Sequence, residues 1–299
     1  MIFLKLIGFR NLLLIALAQL VFHFGLLKQQ NLVLALEDWQ FLLLVVATAC
    51  IAAGGFLIQA VLAKNNPVYN SEVNAVSEAT AYNLYAVLNI VGVGIGFYLS
   101  NLIGKPGFSG IFIITAATLY LYASSLKKSL IVGNLIIALV LAVSILIVGI
   151  YDLLAVITPE NQPFLKVLFE IFIDYALFVF LLGFIREITG SLATVEQDLD
   201  KGSKTLPIVF GQRNTKIIST LLTALLISLL VVYISKYLFV NELYIATFYV
   251  MAVVLAPLLY VVVRLWNVDE TKEYIQLSTI LKGVLVLGVL SVLVIEFTK

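Results

Sequence analysis

The chain has 299 residues, 62% of them hydrophobic and 12% charged, with a formal net charge of +1 and a mean hydropathy of +1.11. A soluble domain carries about 25% charged residues, so the composition is that of a membrane protein with several spans, and a net charge this small argues against a nucleic-acid partner. The only cysteine, Cys50, lies in an apolar run, which excludes an intrachain disulfide and reads as a small buried side chain.

A span needs about 20 mostly apolar residues. By that measure, helices are predicted near 10–27, 41–63, 83–103, 109–126, 129–150, 165–185, 216–238, 243–264 and 278–297. Lys5 and Arg10 ahead of Ala16-Leu17-Ala18 resemble a secretion signal, but the apolar run continues to Leu27, so this stretch is expected to be the first span. Alternating ten-residue segments, which a membrane β-barrel needs, do not occur. The expected fold class is an all-α integral membrane protein: about nine transmembrane helices in a single bundle around a central cavity, one domain over 1–299.

Lysine and arginine set the expected orientation. With nine spans, one side receives only Lys28, Lys105, Lys166, Lys236 and Lys299, and the other receives the remaining 13 of the 18 basic residues. The N-terminus is thus expected inside and the C-terminus outside, in a cytoplasmic (inner) membrane. On the inner side, a loop from Lys64 to Glu72 follows the second span, with Pro67 ending any helix, Lys127 and Lys128 follow the fourth span, and a long polar interruption runs from Ile185 to Asn214. That interruption carries Arg186, Glu187, Glu196, Asp198, Asp200, Lys201, Lys204 and Arg213. Charges beside a bilayer core are solvated, paired or used. Either it is a solvated loop, or it caps a phosphate-binding cavity.

Arg10-Asn11, Ala52-Ala53-Gly54-Gly55-Phe56, Tyr122 to Lys127 with Gly133-Asn134, Ile185-Arg186-Glu187-Ile188 and Gly202-Ser203-Lys204-Thr205-Leu206-Pro207 through Gly211 together resemble the UbiA superfamily of intramembrane prenyltransferases. Within it, the branch of geranylgeranylglycerol-phosphate geranylgeranyltransferases is the most similar. The resemblance covers almost the whole chain. It implies transfer of an isoprenyl group from a prenyl diphosphate to a lipid-like acceptor, with the isoprenoid tail held in an apolar tunnel. It also implies two aspartate-rich motifs whose carboxylates hold Mg²⁺ on the leaving diphosphate, helped by basic side chains. On this chain the implied diphosphate-binding residues are Asn11, Gln59, Lys127, Arg186 and Lys204.

Both motifs depart from the family's pattern. Positions of the first are occupied by Gln59-Ala60, Ala63 and Pro67. In the second, Ser191 and Thr194 replace aspartates and Gly190 replaces a lysine, leaving Glu196 and Asp198, with Asp200 nearby, as metal ligands. Glu72 and Glu78, six apart, do not share a face of one helix and are poor substitutes. Mg²⁺ is thus the expected cofactor if the protein is active, and none otherwise. Two functions stay open: a prenyltransferase whose Mg²⁺-dependent catalysis is weakened or lost, and a non-catalytic relative that binds isoprenoid lipid or a partner. A third, a small-solute transporter, lacks the matched broken helices that class uses.

Other polar residues have two readings each. Arg186 and Glu187 read as an interfacial pair or as a phosphate contact, and Lys127 and Lys128 as orientation charges or as part of the site. Asn134 lies inside a span and should face protein or a cavity. Asp152 is expected to be paired or at an interface. Asp174, in the middle of the sixth span, is expected to be paired, protonated or cavity-facing, with protein rather than lipid around it. His23, the only histidine, excludes a histidine-rich metal site and reads as a hydrogen-bonded helix contact. No G-x-S-x-G element, P-loop or zinc-ligand spacing occurs.

Overall fold

The computed structural model describes residues 2–62, 78–200, 202–268 and 270–298, and among these it contains helices and no strand. Where water cannot satisfy backbone polar groups, a chain this apolar closes its hydrogen bonds within each segment, which selects helices. Nine of the described helices are long and apolar enough to cross a membrane: Phe9–Gln30, Asp38–Leu62, Glu78–Leu102, Pro106–Ser124, Val132–Asp152, Gln162–Leu192, Gln212–Phe239, Tyr244–Asn267 and Thr271–Thr298. We refer to them as the first to ninth spans.

Two boundaries differ from the hydropathy reading. The sixth span continues past Arg186 to Leu192, because Ile185, Ile188 and Leu192 are buried at helical spacing and keep one apolar face after the mean hydropathy has fallen. The ninth begins at Thr271 because Tyr274, Leu277 and Leu281 do the same. The interruption expected over Ile185–Asn214 is therefore mostly helical, with short helices Val195–Asp200 and Leu206–Val209 before the seventh span.

The chain packs as two compact units. The first comprises residues 1–20, 32–127 and 144–172. Its second, third and fourth spans meet through small residues, which is how helices approach closely where lipid supplies no hydrophobic driving force. A Cβ on Gly96 would lie 2.3 Å from Phe112 Cδ2, one on Gly55 2.8 Å from Leu119 Cδ1, and one on Gly92 3.0 Å from the Ala47 carbonyl. Buried polar groups also tie this unit. The Ser100 and Tyr151 hydroxyls are 2.6 Å apart, and Gln19 Nε2 donates to Thr48 Oγ1 at 3.1 Å and to the Ser144 carbonyl at 3.0 Å. Asp152, the last residue of the fifth span, is fully buried, and its carbonyl accepts from the Ala35 amide.

The second unit comprises residues 21–31, 128–143 and 173–299. Its core runs along the sixth to ninth spans and includes Leu182, Ile185, Leu226, Leu230, Val254, Leu258, Val261 and Leu281. Thr189 and Ser219, both buried, are hydrogen-bonded at 2.9 Å between the sixth and seventh spans. Between the eighth and ninth, Tyr274 OH and Lys216 Nζ both donate to the Val268 carbonyl, and Arg264 pairs with Glu273 at 2.6 Å. Three segments of this unit wind as π-helix: Val21–Leu27, Ile234–Phe239 and Val250–Leu255. His23 is buried in the first of them.

Candidate functional site

The polar stretch of the second unit starts at the end of the sixth span. Arg186 and Glu187 are each about a quarter exposed and lie 3.7 Å apart, a loose local pair of the kind that contributes about 0–1 kcal/mol. One turn on, the Ser191 hydroxyl donates to the Ile188 carbonyl at 2.7 Å, bonding back onto its own helix. The chain turns at Ala193-Thr194 and enters the Val195–Asp200 helix, whose first turn holds Glu196 and Asp198, where carboxylates suit the helix dipole.

Thr194 defines the geometry here. Its hydroxyl donates to Asp198 Oδ2 at 2.8 Å, while its carbonyl accepts the Asp198 amide at 2.9 Å. Glu196 and Asp200, four residues apart, share one exposed face of the helix, and Asp198, two residues from each, faces away from them. Gly202 follows at φ 63°, a left-handed conformation that suits glycine, and closes the helix with its amide on the Leu199 carbonyl. Lys204 is exposed. Next to it, Thr205 precedes the Leu206–Val209 helix in extended conformation, and its buried Oγ1 has no hydrogen-bond partner among the described residues. Gly211, at φ 82°, then leads into the seventh span.

The remaining candidates lie in the first unit or outside the described residues. Asn11 and Gln59 are half-buried on the first and second spans, Ala60 is buried, and Lys127 is exposed after the fourth span. Ala63, Pro67 and Glu72 fall outside the described residues. The second unit thus brings together Arg186, Glu187, Ser191, Thr194, Glu196, Asp198 and Lys204 on consecutive turns of one stretch. Asn134, also in this unit, is half-buried near the start of the fifth span.

The fit of this stretch to divalent cations follows from its donors. Two ions on a diphosphate need carboxylates converging from two sides. Here Asp198 and Glu196 lie on opposite faces of one short helix. Among the described residues, no three Asp, Glu, His or Cys side chains come close enough together to hold a metal ion. The described residues do not fit a two-sided Mg²⁺ site.

Comparison with known proteins places the chain. Residues 35–280 match the UbiA prenyltransferase family, and the chain belongs to that family. The curated relatives include two digeranylgeranylglyceryl phosphate synthases. That of Sulfolobus acidocaldarius is 30% identical over 195 residues, which are 62% of this chain and 63% of the relative. That of Sulfurisphaera tokodaii is 30% identical over 200 residues, 63% of this chain and 64% of the relative. The chain therefore spans less than two thirds of the length of these relatives. Two solved structures share the fold. A UbiA homolog from Aeropyrum pernix K1 superposes with a TM-score of 0.69 at 15% identity, covering 93% of this chain and 95% of its own. A UbiA homolog from Archaeoglobus fulgidus bound to Cd²⁺ gives 0.59 at 16% identity, covering 97% of this chain and 100% of its own.

A second polar cluster was only partly legible in the sequence. Asp174 lines a cavity of about 240 Å³ in the second unit, one of the placements expected for it, together with Tyr175, Tyr233, Lys236, Tyr237 and Ser291. Its side chain is exposed where it borders the cavity. The cavity opens beside it, between the sixth and seventh spans. Tyr233 and Tyr237, four apart on an otherwise apolar helix with Lys236 between them, were the available sequence signal.

Proposed function

We propose that this chain is a membrane-embedded isoprenoid-diphosphate-binding member of the UbiA family whose Mg²⁺-dependent ionisation of the diphosphate is strongly weakened or lost. The observation that carries this is the Thr194–Asp198 hydrogen bond. In the family pattern both positions hold aspartate, and two neighbouring carboxylates repel unless a cation neutralises them. Here a hydroxyl donor faces the remaining carboxylate at 2.8 Å, so the pair carries one negative charge in place of two and depends less on a cation. Ser191, at the other substituted position, is occupied by its own helix.

Binding of the diphosphate stands on different residues. Arg186 and Lys204 flank the stretch in the second unit, and the buried Thr205 hydroxyl beside Lys204 has an open hydrogen bond to give. Asn11, Gln59 and Lys127, of the first unit, stay in the proposal on the family resemblance alone. The match over 35–280 includes residues of both units, which supports reading 1–299 as one domain. The test is binding of a prenyl diphosphate with and without divalent metal.

A second reading, a working prenyltransferase using Glu196 and Asp198 alone, is favoured by the names of the relatives. Mg²⁺ often takes only one or two carboxylates, with substrate phosphates and water as the other ligands.

The orientation belongs to the same proposal: the Arg186–Lys204 end on the cytoplasmic side, the N-terminus inside and the C-terminus outside. Reporter fusions at the two ends should give opposite signals, cytoplasmic at the N-terminus. A cytoplasmic signal from both ends would contradict it.

A further inference from the structure

The cavity around Asp174 is separate from the diphosphate-binding stretch. Asp174 lies 17 residues before Ser191 on the same helix, about 25 Å at 1.5 Å per residue. Its other polar residues, Tyr233, Lys236, Tyr237 and Ser291, sit towards the ends of the seventh and ninth spans that are remote from Gln212 and Thr271.

Three features show a built site. Two of the three π-helical segments of the unit line it, with Lys236 and Tyr237 on one and Val250 and Val254 on the other. Such irregular turns recur at functional sites. The third segment carries Phe22, whose ring meets Tyr175 edge-on at 5.3 Å, and Tyr175, Tyr233 and Tyr237 continue the series at 6.5 and 5.2 Å. Finally, a carboxylate and an ammonium occupy one cavity within membrane-spanning helices, where ionisable side chains are costly and are retained for use.

The chemistry of the walls selects the ligand. Ser291 Oγ donates to the Gly288 carbonyl at 2.6 Å, so in the 2.7 Å contact between Tyr175 OH and Ser291 Oγ the tyrosine is the donor. Both hydroxyl oxygens then keep acceptor capacity only, and the Asp174 carboxylate is an acceptor as well. Lys236 and the Tyr233 and Tyr237 hydroxyls supply donors. A ligand here must donate hydrogen bonds and accept from an ammonium, as an alcohol does. One acidic and one basic side chain balance, so a neutral head suits the cavity better than a phosphate.

Apolar side chains share the rim of the cavity with the exposed Asp174, Lys236 and Tyr237. Leu177, Leu229 and Val232 are 46%, 42% and 58% exposed on the helix surface. A cavity of about 240 Å³ has room for a hydroxylated head and the first carbons of a tail. We propose that this cavity is a lateral binding site for a neutral lipid alcohol, entered from the membrane, with the hydroxyl between Asp174 and Lys236.

The experiment uses the full chain in phosphatidylcholine nanodiscs, with tritiated geranylgeraniol, 1,2-dioleoylglycerol and geranylgeranyl monophosphate as separate probes. At least one neutral alcohol is expected to bind tenfold or more tightly than the monophosphate. Asp174→Leu and Leu229→Trp should each weaken that binding about tenfold, the first by removing the acceptor and the second by filling the entrance. Geranylgeranyl diphosphate binding should be unchanged in both, so failure here is distinct from failure of the diphosphate proposal. Binding of geranylgeraniol alone upholds the site for isoprenoid alcohols, and binding of dioleoylglycerol upholds it for glycerol lipids. Monophosphate binding equal to or tighter than that of both alcohols, no alcohol binding, or alcohol binding that neither substitution weakens would overturn the proposal.

Discussion

Purified protein given geranylgeranyl diphosphate, Mg²⁺ and lipid acceptors is expected to release pyrophosphate at least about a thousandfold more slowly than a family member with both aspartate motifs intact. A thousandfold corresponds to about 4 kcal/mol of transition-state stabilisation. Breaking the allylic C–O bond leaves negative charge on the diphosphate, and stabilising developing charge is commonly the largest catalytic contribution. At the first motif, Gln59 offers a neutral carbonyl and Ala60 nothing. At the second, Ser191 and Thr194 carry hydroxyls and no charge, which leaves Glu196 and Asp198. Lost ligands that act as a unit do not add, so the thousandfold is a floor for the set and not a sum over positions. Coupled pyrophosphate detection reads the rate. Turnover at a family-like rate that disappears on Glu196→Ala or Asp198→Ala would instead establish a one-sided metal site and the working-enzyme reading.

The largest structural effect is expected at Gly96. Its missing side chain is where the Phe112 ring sits: an added Cβ would lie 2.3, 2.6 and 2.7 Å from three atoms of that ring. Phe112 is itself buried and packs against Tyr151 with ring centroids 6.0 Å apart, and Tyr151 is hydrogen-bonded to Ser100. Displacing the ring would therefore disturb both a packed contact and a buried polar one. Gly96→Ala should cost about 1–3 kcal/mol. Gly96→Leu should remove most of the folded yield from the membrane. Gly94, on the same helix, has nothing within 4 Å of an added Cβ and serves as the control. Thermal unfolding of detergent-solubilised protein should show Gly96→Ala lowered by several degrees and Gly94→Ala close to the parent. Equal behaviour of the two would remove the close-packing account of these spans.

The sequence and the structure agree where local physics decides the outcome. Nine apolar runs became nine candidate spans, because twenty apolar residues have little alternative to a helix in a bilayer. The errors fall where hydropathy and periodicity separate. A window average ends the sixth span at Ile185, yet Ile188 and Leu192 continue the buried face, so Arg186 and Ser191 are helical residues and not loop residues. The polar stretch was recognisable by its residues. What the substituted residues do was not: the Thr194 contact to Asp198 depends on a turn followed by a six-residue helix. The lipid-facing cavity was least legible, since Asp174, Lys236 and Ser291 are 62 and 55 residues apart in sequence and meet only through packing of the sixth, seventh and ninth spans.

The central claim, that the polar end of the second unit holds a diphosphate through Arg186 and Lys204 without needing metal, is tested most directly by equilibrium binding of geranylgeranyl diphosphate to the full chain in nanodiscs, in Mg²⁺ and in EDTA. The account predicts affinities within about threefold of each other in the two conditions, and a loss of about tenfold or more on Arg186→Gln or Lys204→Gln in both. Affinity that rises a hundredfold with Mg²⁺ and collapses on Asp198→Asn would contradict it.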